Sequence, residues 1–152
     1  MLLVLFNLGD ERFGVDARDL TEILPSVPLR PVMGMPAGVA GLLLHRDALV
    51  PVIDLELMTA GQPCEQRLST RILLAPYQEG PEGALIGLRV GQANDTLSVD
   101  PAALEDTGLR PMEPPAFGPV LRQGLRTIQL VKIEQLLSEA VRASLFAEAA
   151  AP

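Results

Sequence analysis

The chain has 152 residues and a net charge of −7, from twelve basic and nineteen acidic side chains. This acidic balance repels phosphate groups, which excludes nucleic acid and anionic lipid surfaces as partners. A hydrophobic fraction of 48% with only 3% aromatic residues predicts an aliphatic core. Because no segment reaches 18 uninterrupted apolar residues and the single Cys64 allows no internal disulfide, the sequence predicts a cytoplasmic protein without membrane insertion.

Strand patterns dominate the start of the chain. Residues 2–8 form a β-prone apolar run closed by a Gly-Asp turn, and RFGV resumes the run, which predicts a hairpin. Asp16 predicts the N-cap of a short helix over residues 17–24, which Pro25 ends. Residues 25–38 contain four prolines and two glycines, and predict an extended connection with apolar anchors.

The next predicted element is a hairpin with two apolar arms, residues 38–44 and 48–55. Neither arm alternates cleanly, which predicts burial on both faces. Pro51 indicates an edge or a bulge, because proline cannot donate to the ladder. Residues 45–47 between the arms are charged, and two interpretations stay open. They form the solvated turn of a core hairpin, or a rigid turn that displays Arg46 to carboxylates on a helical partner.

A second strand-rich half follows a polar loop. Residues 70–77 and 84–91 predict strands joined by a turn rich in glycine and proline, and the second strand continues through DTLSV. Asp100 followed by Pro101 predicts one helical turn. Residues 125–131 predict a last strand.

The end of the chain predicts a helix over residues 133–149 that docks on its own domain. Its apolar stripe comprises Ile133, Leu136, Leu137, Ala140, Val141, Ser144 and Leu145. Short strands at spacings of about 8–12 residues favour a sandwich or barrel over a parallel βαβ sheet, so the predicted fold class is mostly β.

The sequence contains little that could carry catalysis. His45 is the only histidine, and the one cysteine has no visible relation to it. A metal site from His45, Asp47 and Asp54 would be a weak pattern, and no glycine-rich phosphate-binding motif occurs. We therefore predict no enzymatic activity, no cofactor and no metal. Two other classes stay open: a small-molecule-binding β-barrel and a self-associating structural subunit.

Several stretches resemble CheW-like domains. Residues 6–24 are similar to the opening of that family. Residues 39–55 resemble its signature, an Asn-Leu-Arg-Gly turn followed by a β-run that ends in Pro-Val-Ile-Asp-Leu. Residues 70–75, 84–99 and 130–138 are similar to its later strands and closing helix. The resemblance covers nearly the whole chain.

This resemblance implies a fold and a function. The fold is a single domain, 1–152, with two SH3-like five-stranded β-barrels, short helices and a C-terminal helix. The approximate sub-barrels are 12–68 and 69–137, and strand 1–8 packs with either. The implied function is a non-catalytic adaptor that couples the cytoplasmic tips of methyl-accepting chemoreceptors to the regulatory domain of the histidine kinase CheA, in arrays at the membrane.

The resemblance also gives candidate partner-binding residues. They are Leu20, Glu22, Gly41, His45, Arg46 and Asp47. From the residues alone, Glu22 equally fits a solvated helix face, Leu20 core packing and Gly41 a close backbone approach. In the signature turn the arginine is kept, but aspartate replaces the final glycine. Such departures fit a divergent paralogue of a parallel chemosensory pathway at least as well as the main chemotaxis coupler.

Overall fold

A computed structural model describes residues 1–113 and 116–146. In chain order the strands and α-helices are β1 Leu2–Leu8, β2 Glu11–Asp16, β3 Glu22–Pro25, β4 Val39–His45, β5 Ala48–Asp54, α1 Leu55–Ala60, β6 Arg71–Pro76, β7 Leu85–Ser98, β8 Val120–Gln123, β9 Arg126–Val131 and α2 Glu139–Ser144. Single 3₁₀ turns cover Ala17–Asp19, Pro101–Ala103 and Ile133–Gln135. The predicted mostly β fold class is confirmed. In the described part of the chain, no helix is long and apolar enough to cross a membrane.

The strands form two five-stranded groups that share β7. The first group contains β1, β2, β8, β9 and the second half of β7, and the second contains β3, β4, β5, β6 and the first half of β7. Most neighbours are antiparallel, while β2 with β9 and β5 with β7 are parallel. The groups agree with two five-stranded barrels. However, the path of paired strands among the described residues does not close, and runs from β3 to β8.

Strand pairing differs from the predicted division of the chain into residues 12–68 and 69–137. From the first stretch, β2 pairs with β9, β3 with β6 and β5 with β7, all in the second stretch. The strand predicted at 1–8 belongs to the first group, where β1 pairs with β2 and β7. A local hydrophobic pattern predicts that a strand forms, but it does not identify the strand's partner.

Three apolar clusters support this arrangement. One lies in the first group: Leu3, Leu5, Val99 and Ile128. One lies in the second group: Leu43, Val50, Val52, Ile72 and Leu74. The largest cluster takes side chains from both groups and from the C-terminal segment, including Phe6, Val15, Ile53, Leu88 and Leu136. The two groups are therefore packed against each other through the largest cluster.

The helix predicted over residues 17–24 is wrong. Asp16 does cap a turn there, because its carboxylate accepts a hydrogen bond from the Arg18 N–H at 2.9 Å. The turn ends at Asp19, and the chain then enters β3, which pairs with β6. Apolar spacing compatible with a helix is overridden here by hydrogen bonds to a neighbouring strand.

The continuous helix predicted over residues 133–149 is also wrong in its described part. A 3₁₀ turn comes first, and α2 starts separately after Ser138, whose hydroxyl accepts a hydrogen bond from the Val141 N–H at 3.3 Å. Serine at such a position starts a helix rather than continuing one. The stripe docks on its own domain as predicted, with Leu136 fully buried. Residues 147–149 lie outside the described residues.

Two strands differ in detail from the predictions. The sequence pattern does not predict β8, which follows a proline-bearing connection and pairs with β9. The arms of the β4–β5 hairpin are buried on both faces only near its base. At its far end Leu44 is 69% exposed and Leu49 61% exposed. The hairpin therefore begins in the core and ends in solvent.

Candidate partner-binding site

The β4–β5 hairpin ends in a two-residue turn formed by Arg46 and Asp47. Both residues have positive φ, 48° and 67°, and His45 pairs with Ala48 directly before and after them. Positive φ at both central positions is the pattern of a type I′ turn, whose twist matches that of the flanking strands. We call residues 44–49 the hairpin tip. Its backbone is held in one tight geometry, although neither central residue is glycine.

This turn gives a first testable prediction. Asp47→Gly is expected to raise the free energy of unfolding by about 0.5 kcal/mol, because glycine reaches positive φ without a steric penalty but loses more entropy on folding. Urea denaturation followed by circular dichroism measures the change. Asp10→Gly is the control, since it makes the same substitution in the β1–β2 turn at a position without positive φ, and it is expected to be destabilising. A loss of stability in Asp47→Gly would contradict the strained turn.

Glu22, at the start of β3, contacts two residues of the hairpin tip. Its Oε2 lies 3.1 Å from His45 Nε2, and its Oε1 lies 3.6 Å from Arg46 Nη2. A carboxylate can only accept, so His45 Nε2 is the donor. The His45 and Glu22 side chains are 16% and 31% exposed, whereas the Arg46 side chain is 77% exposed. The structure thus brings Glu22, His45, Arg46 and Asp47 together, with Arg46 projecting into solvent.

An exposed aliphatic pair lies next to the turn along the two strands. Leu44 and Leu49 are directly opposite each other in the β4–β5 ladder. Directly opposite residues present their side chains on the same face, and successive residues on opposite faces. The leucine pair therefore occupies the face opposite to the one that carries His45. Aliphatic contact area next to an exposed arginine is a combination that protein interfaces use.

Gly41 and Leu20 lie away from the turn. Gly41 has a φ of 151°, and a Cβ at this position would lie 2.5 Å from the Arg30 carbonyl oxygen. Glycine thus permits a close approach in which Arg30 and Leu42 exchange two backbone hydrogen bonds of 2.9 Å. Leu20 is half-buried and packs against the largest apolar cluster. In the structure, both residues contact neighbouring parts of the protein itself.

A buried ion pair that the sequence pattern does not predict lies at the base of the hairpin. Asp54, the last residue of β5, is fully buried, and its Oδ1 accepts a hydrogen bond from the Leu57 N–H at 3.0 Å, which caps α1. Its Oδ2 accepts from the Cys64 N–H and from Arg89 Nη2, each at 2.9 Å. The available signal was an aspartate that closes a buried strand directly before a helix. Nothing in the local sequence points to Arg89 as its partner.

Cys64 is buried beside this ion pair. Burial, followed by the negative charges of Asp54 and Glu56, raises the pKa of its thiol to about 11. The thiol therefore stays protonated at neutral pH, where it is a poor nucleophile. Among residues 1–113 and 116–146, no three His, Cys, Asp or Glu side chains gather in a way that could hold a metal ion.

Both the sequence and the fold are similar to those of known proteins. A family model described as CheW-like domain matches residues 2–141. "Probable chemotaxis protein CheW" of Rhizobium etli is 27% identical over 139 residues, which cover 90% of this chain and 87% of that protein. "Chemotaxis protein CheW" of Klebsiella aerogenes is 27% identical over 144 residues, covering 89% and 80%. The crystal structure of the scaffolding protein TtCheW from Thermoanaerobacter tengcongensis has the same fold, with a TM-score of 0.71 and 22% identity over 87% of this chain and 84% of that one.

Proposed function

The chain belongs to the CheW-like domain family, and on this basis we propose that it is a non-catalytic signalling adaptor. It couples methyl-accepting chemoreceptors to a CheA-type histidine kinase in a chemotaxis or chemosensory array. It is recruited from the cytoplasm to receptor arrays at the membrane. The extent of the family match and the chemotaxis names of its relatives support this role. The changed signature turn is compatible with a paralogue that serves a parallel pathway.

The observation that carries a binding role for the hairpin tip is the exposure of Arg46. Its guanidinium has five N–H donors, and within residues 1–113 and 116–146 its one ion-pair contact, with Glu22, is 3.6 Å long. Most of these donors are free to bind carboxylates of a partner in the planar geometry that arginine favours. We propose that the tip contacts the receptor through Arg46, and that its neighbours His45 and Asp47 serve this contact by holding Arg46 in place.

We assign supporting roles to the other predicted residues. Glu22 lies in β3 and contacts His45 and Arg46 of the hairpin tip. Gly41 lets the Arg30 segment pair closely with β4 below the tip, and Leu20 anchors the chain just before β3 in the largest cluster. In this proposal, Leu20 and Gly41 serve partner binding by fixing the two strands that carry the contact residues.

Charge reversal at the tip tests the proposal. Arg46→Glu is expected to weaken binding of a receptor-tip fragment at least about tenfold, because it places a carboxylate where the partner's own carboxylates bind. Binding to the kinase regulatory domain is expected to be unchanged. Isothermal titration calorimetry of the purified chain against each partner measures both affinities.

Arg126→Glu is the matched control. It makes the same charge reversal on an exposed residue at the start of β9, far along the chain from the hairpin tip, and it is expected to leave receptor binding unchanged. Equal receptor binding by wild type and Arg46→Glu would contradict a role for the tip. A folded wild-type chain that binds neither receptor nor kinase would contradict the adaptor role itself.

The interior of the fold weighs against a ligand-binding barrel. Within the described residues, each five-stranded group encloses an aliphatic cluster rather than convergent polar groups. A ligand barrel would nevertheless give a saturable shift in melting temperature with a small molecule. A self-associating subunit would give a fixed oligomer by light scattering. Neither result is expected for the adaptor.

A further inference from the structure

We infer that His45 is a positioning residue that keeps Arg46 available to a partner by occupying the Glu22 carboxylate. This inference rests on the proposed function for its biological meaning, but its structural part can be tested without any partner. The Glu22 carboxylate faces two donors, His45 and Arg46, and the two contacts differ in length. The difference determines which of the two side chains the hairpin tip presents to solvent.

Glu22 makes two unequal contacts, one with His45 and one with Arg46. The His45 Nε2 to Glu22 Oε2 distance of 3.1 Å lies within the hydrogen-bond range. The Arg46 Nη2 to Glu22 Oε1 distance of 3.6 Å is an ion pair but is too long for a hydrogen bond. His45 and Glu22 are mostly shielded from water, whereas Arg46 is mostly exposed. Glu22 therefore makes its better contact with His45 and holds Arg46 only loosely.

Removing the hydrogen-bond donor at position 45 would change the partner of the Glu22 carboxylate. An aliphatic side chain there would leave Glu22 with Arg46 as its remaining ion-pair partner at the hairpin tip. Arginine and carboxylate favour a bidentate geometry with two parallel hydrogen bonds. The flexible Arg46 side chain would fold back onto Glu22, and the donors that point into solvent would be used within the chain. His45 thus decides whether Arg46 forms an internal or an external contact.

The side chains next to Arg46 indicate the chemistry of the partner. The exposed Leu44–Leu49 pair lies next to the Arg46 turn in the ladder. The end of the hairpin therefore fits a protein segment that presents a carboxylate to Arg46 and an aliphatic side chain to the leucine pair on the other face. A second copy of this chain is a poorer occupant, because each copy carries a net charge of −7 and the two would repel each other. The receptor tip is the partner to which we assign this surface.

The experiment uses the full chain in three variants: His45→Leu, His45→Gln and the double variant His45→Leu with Glu22→Gln. Leucine removes the donor, glutamine keeps a donor, and the double variant also removes the charged acceptor that would capture Arg46. The first measurement is the NMR rate of guanidinium rotation in Arg46 without a partner. We expect slower rotation in His45→Leu, and wild-type rotation in the other two variants. Equal rates in all four proteins would overturn the inference.

The second measurement is calorimetric titration with the receptor-tip fragment. We expect His45→Leu to bind about three- to fivefold more weakly, the range expected when an exposed ion pair competes. We expect the other two variants to regain wild-type affinity. Weak binding by the double variant would overturn the inference, because His45 would then contact the partner or support the fold. Absence of wild-type binding would contradict the proposed function, while the rotation rates would still decide the structural part.

Discussion

Asp54→Ala is expected to lower the free energy of unfolding by about 3–5 kcal/mol, the largest effect predicted for any single substitution in this chain. The substitution leaves the Arg89 guanidinium, whose side chain is only 14% exposed, without its charge partner. It also removes the cap of α1 and the acceptor of the Cys64 N–H. Domains of this size have total stabilities of about 5–15 kcal/mol, so the variant would be close to unfolding. Urea denaturation followed by circular dichroism measures the loss.

Two further variants separate the contribution of the buried ion pair from that of an ordinary capping aspartate. Asp100→Ala removes the exposed aspartate that caps the 3₁₀ turn after β7, and is expected to cost about 1 kcal/mol or less. Asp54→Asn keeps an acceptor for the Leu57 N–H but removes the charge, and is expected to lie between the two alanine variants. A cost for Asp54→Ala no greater than that for Asp100→Ala would show that the buried ion pair does not stabilise the junction.

Gly41→Ala is expected to destabilise the protein by about 2–3 kcal/mol, because its new Cβ would collide with backbone rather than with a flexible side chain. The nearest atom is the Arg30 carbonyl oxygen at 2.5 Å, and the Leu29 Cβ follows at 3.1 Å. That carbonyl accepts a hydrogen bond from the Leu42 N–H, so moving it away breaks the bridge between the two segments. Denaturation measures the stability, and faster amide hydrogen exchange at Leu42 is the local signature.

Gly34→Ala is the matched control for this substitution. Gly34 also has positive φ, 77°, but no atom of the described residues lies within 4 Å of the point that its new Cβ would occupy. It therefore reports the conformational cost alone, about 1 kcal/mol. If Gly41→Ala cost no more than Gly34→Ala, the close approach of the Arg30 segment to β4 would be contradicted.

The strands were largely predictable from the sequence, whereas their pairing was not. Alternating or continuous apolar runs are visible in the residues of β1, β6 and β7, since one or both faces of these strands are buried. The error at residues 17–24 has a specific cause. Apolar residues there fit a helical period, but hydrogen bonds to β6 select a strand after one turn. Such a choice depends on a neighbour about 50 residues away, which no local window contains.

The same distinction applies to the candidate site. A charged turn between two apolar arms was enough to single out Arg46, because the turn and its arms are adjacent in the chain. Glu22 became a candidate only through the resemblance, and its contact with the turn, 23 residues away at His45, was not predicted. The Asp54–Arg89 pair joins residues separated by 35 positions. Each residue by itself looks like an ordinary charged side chain in a strand, so only the fold reveals the pair.

The sharing of β7 between the two strand groups has a consequence for how the protein folds. Neither group is complete without its half of this strand, so neither can become stable before most of the chain has been made. The parallel pairings of β2 with β9 and β5 with β7 join segments far apart in sequence, and such contacts slow folding because long loops must close first. The two groups are therefore expected to unfold in a single cooperative transition. The hairpin tip that we assign to the receptor contact would then unfold only when the whole molecule unfolds.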